Sequence, residues 1–436
     1  MIATIIISSL TFILVILSIL FYPKIKISQT KSIDTYWIIS LIGAILLLTF
    51  RFAPIREVYS ELTTSAPVNP IKILILFFSM TIISVLLDEF GFFRYLASVA
   101  TRKAKSSQYL LFFLLYGLTS LLTIFTSNDV VILTLTPFIC FFAKNAKINP
   151  LPYLIAEFSA ANTWSLFFLI GNPTNIYLAT SAGINFLDYF KVMWLPTLLG
   201  GLTELVIIFL IFRKKLKEPM KINEDDYSLP SKLDLVVGLI HLLICLVFLI
   251  ISSYISIEML LVSFICALSL LVWTLVIRLV SKKHWDFISN SLKRLPYPLI
   301  PFFLSMFVVV VALNYQGISH EIASLFGNKN TICVYGYTSY LFSNLMNNIP
   351  MSIFFTNLTT ELRNTASYLP SVYASIIGSN IGAFLTPIGA LAGMMFSRLV
   401  SEHEIKLSFF DFVKYGFVIS IPTITMSLIG LFIMIG

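Results

Sequence analysis

The feature that most constrains this chain is the recurrence of apolar stretches of about 18 residues or more along its whole length, each long enough to cross a hydrocarbon core about 30 Å thick. The first, IATIIISSLTFILVILSILFY (2–22), lacks a basic leader and a small-residue cleavage site, so it reads as a retained span and not a signal peptide. Spans are expected at about 2–22, 36–53, 71–89, 150–182, 188–212, 233–253, 256–280, 297–315, 368–399 and 410–435. Two more apolar segments, 107–143 and 331–363, are each interrupted by a polar knot. Only 11% of the 436 residues are charged, against about 25% in soluble domains, which makes lipid the main solvent. The reading is an all-α polytopic membrane protein.

The net charge of +8 does not point to nucleic acid, because the basic residues sit in short connectors without interleaved aromatics. If both knotted segments are hairpins that enter and leave on one side, 23 of the 29 Lys and Arg fall on one side, in 24–31, 94–105, 144–147, 213–232, 278–294 and 398–414. Arg51, Arg56, Lys72, Lys191, Lys329 and Arg363 remain on the other. The positive-inside rule places the basic side in the cytoplasm and both termini outside, in a multi-pass protein of the cell membrane. Cys140, Cys245, Cys266 and Cys333 stand singly in apolar runs, with neither metal spacing nor a disulfide framework.

The polar linker RKKLKEPMKINEDDYSLPSK (213–232) divides two similar halves. FTSNDVVILTLTPFI (125–139) has a partner in FSNLMNNIPMSIFFTNL (342–358), and GNPTNI (171–176) in LTPIGA (385–390). Each break precedes a related span, FLDYFKVMWLPTLLGG in one half and FFDFVKYGFVISIPTIT in the other. Residues 1–212 are therefore read as a first repeat, with scaffold spans in 1–89, a re-entrant hairpin at 107–143, a broken helix at 150–182 and a final span at 188–212. The second repeat, 233–436, has scaffold spans in 233–315, a hairpin at 331–363, a broken helix at 368–399 and a final span at 410–435. The halves begin on opposite sides, so the repeats are inverted, a signature of secondary transporters.

Non-helical backbone at membrane depth survives only against protein or water. Gly171 and Pro173 in one half, and Gly378, Gly382, Pro387 and Gly389 in the other, break the helix and leave polar side chains beside exposed helix ends. The candidate substrate- and ion-binding residues are Thr126, Ser127, Asn128 and Asp129 at the first tip, Asn347 and Asn348 at the second, and Asn162, Asn172, Thr174, Asn175, Ser379, Asn380 and Thr386 along the broken helices. Asp129 is the only acid in the four knots. A carboxylate at that depth costs about 2.5–3.5 kcal/mol on insertion scales, so it needs a use, such as compensating a coupling cation or carrying a proton; the simpler role is capping its own helix. Na⁺ at Ser127, Asn128 and Asp129 is the metal candidate, and no other cofactor is expected. Glu157 and Glu204 are weaker candidates for proton relay, and His241 for packing. His320–Glu321 and His403–Glu404 lack the second His of a zinc protease helix, and there is no phosphate-binding glycine loop.

At these motifs the chain resembles the arsenite permease and citrate-transporter-like branch of the ion transporter superfamily. SNDVVILTLTPFI is similar to the arsenite permease N-D-x-x-x-x-x-L-T-P-I element, NNIPMSI to its N-N-x-P stretch, and YASIIGSNIGAFLTPIGALAGMMF to its G-x-D-L-G-x-x-x-T-P-I-G-S-L-A segment. GNPTNI resembles the G-[DN]-P-x-N break of related sodium/proton antiporters and anion permeases. Arsenite permeases carry Asp where this chain has Asn380, and an A-D-T element where it has Ala161-Asn162-Thr163. The resemblance implies a scaffold and a mobile transport unit, often paired as homodimers; a partner ATPase is left open. The functional expectation is secondary active transport of a small anion, an inorganic oxyanion or a carboxylate, driven by sodium or protons through alternating access. Arsenite or antimonite efflux and sodium/proton antiport are the alternatives, and a membrane-embedded enzyme a remote one.

Overall fold

The computed structural model describes residues 1–22, 24–26, 32–63, 69–218, 220, 229–255, 257–280 and 286–436; much of the expected cytoplasmic linker, 219 and 221–228, lies outside them. The described chain is almost entirely helical. Its first half runs α1 (Ile2–Phe21), α2 (Thr35–Thr49), α3 (Ile55–Thr63), α4 (Pro70–Glu89), α5 (Phe92–Ala104), α6 (Gln108–Phe125), α7 (Asn128–Ala146), α8 (Leu151–Trp164), α9 (Pro173–Ser181) and α10 (Phe186–Phe212). The second half runs α11 (Lys232–Ile255), α12 (Met259–Val280), α13 (Asp286–Lys293), α14 (Leu299–Tyr315), α15 (Ile318–Phe326), α16 (Thr331–Met346), α17 (Asn348–Thr360), α18 (Tyr368–Gly382), α19 (Leu391–Glu402) and α20 (Phe409–Ile435). A short antiparallel ribbon pairs Lys24–Lys26 with Ser32–Asp34.

Among the described residues, eight helices are long and apolar enough to span a membrane, and α14 with α15 adds a bent pair at 75°. The long outer helices α10, α11, α12 and α20 bury one stripe and expose the rest. Val206, Leu243, Ile265 and Phe432 are among the exposed apolar residues, as expected where lipid is the solvent. By contrast α8 is buried from Pro152 through Thr163 and α18 from Ser371 through Gly382, so the two broken segments form the centre of the molecule.

Four short helices, α3, α5, α13 and α15, occupy stretches the sequence reads as connectors. Each is amphipathic and under fourteen residues, too short for the span criterion and too charged to stand out. Helices at corresponding places make corresponding contacts: α4 packs on α12 and α14 on α2, α9 on α17 and α19 on α7, and α10 on α20.

Polar contacts divide the connectors into two sets. One set holds Arg294 with Asp88 and Glu89, Arg278 with Asp234, the Tyr109 hydroxyl on the Arg213 carbonyl, the Gln108 amide on the Glu218 carbonyl, and Lys144 with Glu404. The other holds the N-terminal amine on Gln316, the Gln316 amide on the Phe52 carbonyl, Lys72 with Glu258, the Tyr373 hydroxyl on the Asp188 carbonyl, His320 with Glu361, and Ser367 on the Asn328 carbonyl. No such bond among the described residues joins one set to the other.

The tightest approach at the centre is α18 against α16. A Cβ added at Gly378 would overlap the Gly336 carbonyl and Ser339 Oγ and lie 2.8 Å from the Tyr340 nitrogen. Backbone cannot yield as a flexible side chain can. Gly378→Val should therefore destabilise the protein by about 1–3 kcal/mol or more, read as a lower unfolding midpoint of the purified protein, whereas Gly117→Ala, where nothing lies within 4 Å, should not.

Candidate functional site

Four helix starts meet in the buried centre: those of α7 and α17 at the ends of helix pairs, and those of α9 and α19 after the broken segments. Pro173 takes the first position of α9, where its missing N–H costs nothing, and Asn172 caps that helix through Oδ1, which accepts from the Thr174 N–H and hydroxyl, each at 3.1 Å. Asn347 likewise caps α17 by accepting from the Ile349 N–H at 3.3 Å. Its φ of 72° and ψ of 151° lie in territory that favours glycine, a strained setting held by the Nδ2 bond to the Ile388 carbonyl at 3.0 Å.

Asn380, fully buried near the end of α18, is the hub of the first cluster. Its Oδ1 accepts from Asn172 Nδ2 at 2.9 Å and lies 2.9 Å from Ser165 Oγ. Its Nδ2 donates to Asn175 Oδ1 at 2.6 Å and to the Ile376 carbonyl at 2.9 Å. Ser379 Oγ donates to Thr174 Oγ1 at 2.8 Å, and Asn175 Nδ2 to the Ser165 carbonyl at 2.8 Å. Residues 205 or more apart in sequence thus share one hydrogen-bonded network, with the backbone freed by the first break satisfied inside it.

The second cluster forms around the other break. Thr386 Oγ1 donates to Asn344 Oδ1 at 2.7 Å, Asn344 Nδ2 reaches the Gly382 carbonyl at 2.9 Å, and the Asn348 backbone N–H bonds the Gly389 carbonyl at 2.9 Å. Gly382, two residues beyond Asn380, joins the clusters through α18. At the first tip the coupling is thinner: Asn128 Nδ2 is 3.4 Å from Asn162 Oδ1, and Thr126 Oγ1 turns back to the Leu122 carbonyl at 2.7 Å.

Ser127 and Asp129 stay outside both clusters. Ser127 Oγ is buried with no hydrogen-bond partner, and the Asp129 carboxylate accepts no bond and pairs with no cation among the described residues. The two helix starts that lack a side-chain cap, those of α7 and α19, belong to packed neighbours whose C-terminal ends also meet, with Lys144 Nζ 3.8 Å from the Glu404 carboxylate. They therefore run parallel and present their uncapped, positive ends in the same direction.

Ser165 and Asn344 are the participants the sequence reading missed. Asn344 was legible as lying one helical turn before Asn347; Ser165 carries no signal, because it sits where α8 has ended. Asp129, Ser127, Asn128 and Asn162 are at the first tip, and Asn172, Thr174, Asn175, Ser379 and Asn380 are in the hub. Asn347, Asn348 and Thr386 are at the second tip and break. Gly171, Pro173, Gly382, Pro387 and Gly389 lie at or beside the helix ends that frame them.

The buried polar junction lies inside a bundle of helices long and apolar enough to span a membrane. The sequence profile of the citrate transporter family matches residues 12–378, and the chain belongs to that family. It is 26% identical over 390 residues to the putative arsenical pump membrane protein of Bacillus subtilis (strain 168), covering 81% of this chain and 86% of that one. It is 26% identical over 376 residues to the arsenical pump membrane protein of Escherichia coli, with 81% and 84% covered. Its fold matches the YdaH transporter of Alcanivorax borkumensis with a TM-score of 0.56 at 14% identity, over 98% of each chain. It also matches MtrF of Neisseria gonorrhoeae with a TM-score of 0.51 at 13% identity, over 98% of this chain and 94% of that one. The chain is a multi-pass membrane transporter of an anion-permease family, not an enzyme, and its working partner is the lipid bilayer.

The hub sets a clear expectation for Asn380. An aspartate there would replace the donor facing Asn175 Oδ1 and the Ile376 carbonyl with an acceptor. Asn380→Asp should destabilise the protein by about 1–3 kcal/mol, the cost of leaving buried groups unpaired, measured as a fall in unfolding midpoint at neutral pH.

Proposed function

We propose that the protein is a secondary active transporter of a small anion, an inorganic oxyanion or a carboxylate, coupled to a sodium or proton gradient through alternating access. The observation that carries this reading is the convergence of four helix starts in a buried, amide-rich junction with only one acid. The helix starts without a side-chain cap, those of α7 and α19, attract anions, and amides and hydroxyls can replace a hydration shell. Asp129 and Ser127, with uncommitted oxygens at the start of α7, are the side chains best suited to a coupling cation.

The arrangement that supports alternating access is a pair of inverted repeats. Corresponding helices make corresponding contacts. The outer ends of α6 and α7 bond within the connector set that holds Arg213 and Glu404, and those of α16 and α17 within the set that holds His320 and Asn328. By length alone α6 and α7, at 18 and 19 residues, would suffice to cross the bilayer. Re-entry is favoured by the tip between them, where Ser127 and Asn128 are buried and Asn128 lies against Asn162 of the central helix α8 instead of reaching the connectors of the other set. The excess of Lys and Arg supports a cytoplasmic Arg213 set with both termini outside. The plasma membrane is the expected location.

Efflux of an arsenical is the second reading, favoured by the names of the relatives. Proteoliposomes given labelled citrate or arsenite, with sodium and pH gradients imposed separately, distinguish the readings. Gradient-driven movement of either probe by the wild-type protein is expected. Asp129→Asn should abolish gradient-driven transport, or uncouple it, while the folded protein remains in the membrane; wild-type rates with unchanged sodium and pH dependence would remove Asp129 from the coupling step. A single cysteine introduced by Ile222→Cys should resist an impermeant thiol reagent applied outside intact cells, and labelling there would overturn the topology.

A further inference from the structure

Glu204 lies on α10, within a helix of 27 residues, and is fully buried. Its two carboxylate oxygens each have their own donor. Tyr116 of α6 offers its hydroxyl to Oε1 at 2.9 Å, and Thr163 of α8 offers Oγ1 to Oε2 at 2.5 Å. Trp164 Nε1 donates to the Tyr116 oxygen at 3.1 Å. Adjacent Gly201 lets this assembly close, since a Cβ there would lie 2.6 Å from the Trp164 ring.

No cation among the described residues balances the carboxylate. From α8 it meets Thr163, and from α6 Tyr116, which Trp164 in turn bonds. On α20, Ser427 Oγ faces Gly200 and has no partner. The ionisable groups of α20, Asp411, Lys414 and Tyr415, lie in its first two turns, where the Tyr415 ring packs against Phe212. On α11, Asp234 pairs with Arg278, and His241 bonds the Val237 carbonyl and Ser269. The 3₁₀ turn Leu169–Gly171, also against α10, carries no ionisable side chain.

We infer that Glu204 is a proton-carrying site of the transport cycle, distinct from the junction of tips and breaks and joined to it through Thr163 and its neighbour Asn162. A buried carboxylate without a cation is neutralised by a proton at modest cost, whereas burying it charged is expensive. The Tyr116 hydroxyl has a single proton and two acceptors in reach, the Gly201 carbonyl at 2.6 Å and Glu204 Oε1. When Glu204 is a carboxylic acid it donates to the Tyr116 oxygen, and Tyr116 donates to Gly201. When Glu204 releases its proton to water, Tyr116 turns its own proton to the carboxylate and Thr163 supplies the second bond. Both states are thus satisfied, which a carrier requires. Glu157 differs: both of its oxygens share the one hydroxyl of Thr136, at 3.0 and 3.2 Å, so its charged form would have a single donor.

This inference rests on the transporter reading for its place in a cycle, but its first test does not. Infrared pH-difference spectra of the purified full-length protein in lipid should show a protonated-carboxyl C=O band that titrates and is absent in Glu204→Gln. The same spectra in which the band survives in Glu204→Gln, or in which no buried carboxyl titrates, overturn it. In proteoliposomes loaded with citrate or arsenite, Glu204→Gln should keep at least half of wild-type exchange of probe for probe and lose at least tenfold in pH-gradient-driven accumulation. Unchanged accumulation in Glu204→Gln, or its loss in Glu157→Gln alone, overturns the assignment. Should the wild-type protein move neither probe, the substrate reading fails while the infrared result still decides Glu204. Thr163→Val, which keeps the shape and removes one donor, should move the titration midpoint of the band; an unmoved midpoint contradicts the proposed bond.

Discussion

Interrupting a helix inside a membrane releases backbone N–H and carbonyl groups that lipid cannot satisfy, and each left unpaired costs several kcal/mol. The structure of this transporter is organised around four such interruptions. Asn172 and Asn347 cap two of the helix starts, Asn175 and Asn344 take up carbonyls of the breaks, and Asn380 ties the two halves together. Asparagine suits this task because one side chain supplies donors and an acceptor without bringing a charge into a region where charge is costly.

The two sides of the junction, each built from one helix start of either half, use this solution unequally. Around α9 and α17 the helix starts are capped by amides and the network is closed, whereas α7 and α19 have no side-chain cap. Ser127 and Asp129 retain uncommitted oxygens on the less satisfied side. The three acids set among these central helices, Asp129, Glu157 and Glu204, all come from the first half.

Much of this was legible in the sequence. Lengths of apolar runs gave the helices in lipid, and Pro173, Gly171, Pro387 and Gly389 marked the breaks because their backbone chemistry is local. Family membership was legible in the motifs around them. The short helices α3, α5, α13 and α15 were not, since a half-polar helix of about ten residues has neither the length of a span nor the composition of a loop. Ser165 and the partners of Glu204 were hidden for another reason. Tyr116, Thr163 and Glu204 lie 41 to 88 residues apart, and only packing reveals that they share a carboxylate.

The central claim is that the tips and breaks form one site open to each side of the membrane in turn. Its most direct test is a single cysteine, Ser127→Cys, in a protein whose Cys140, Cys245, Cys266 and Cys333 have been replaced by serine or alanine. An impermeant thiol reagent applied to right-side-out and to inverted vesicles should label it from both sides, and more slowly when transported anion is present. Labelling from one side only, at a rate indifferent to citrate and arsenite, would contradict the account.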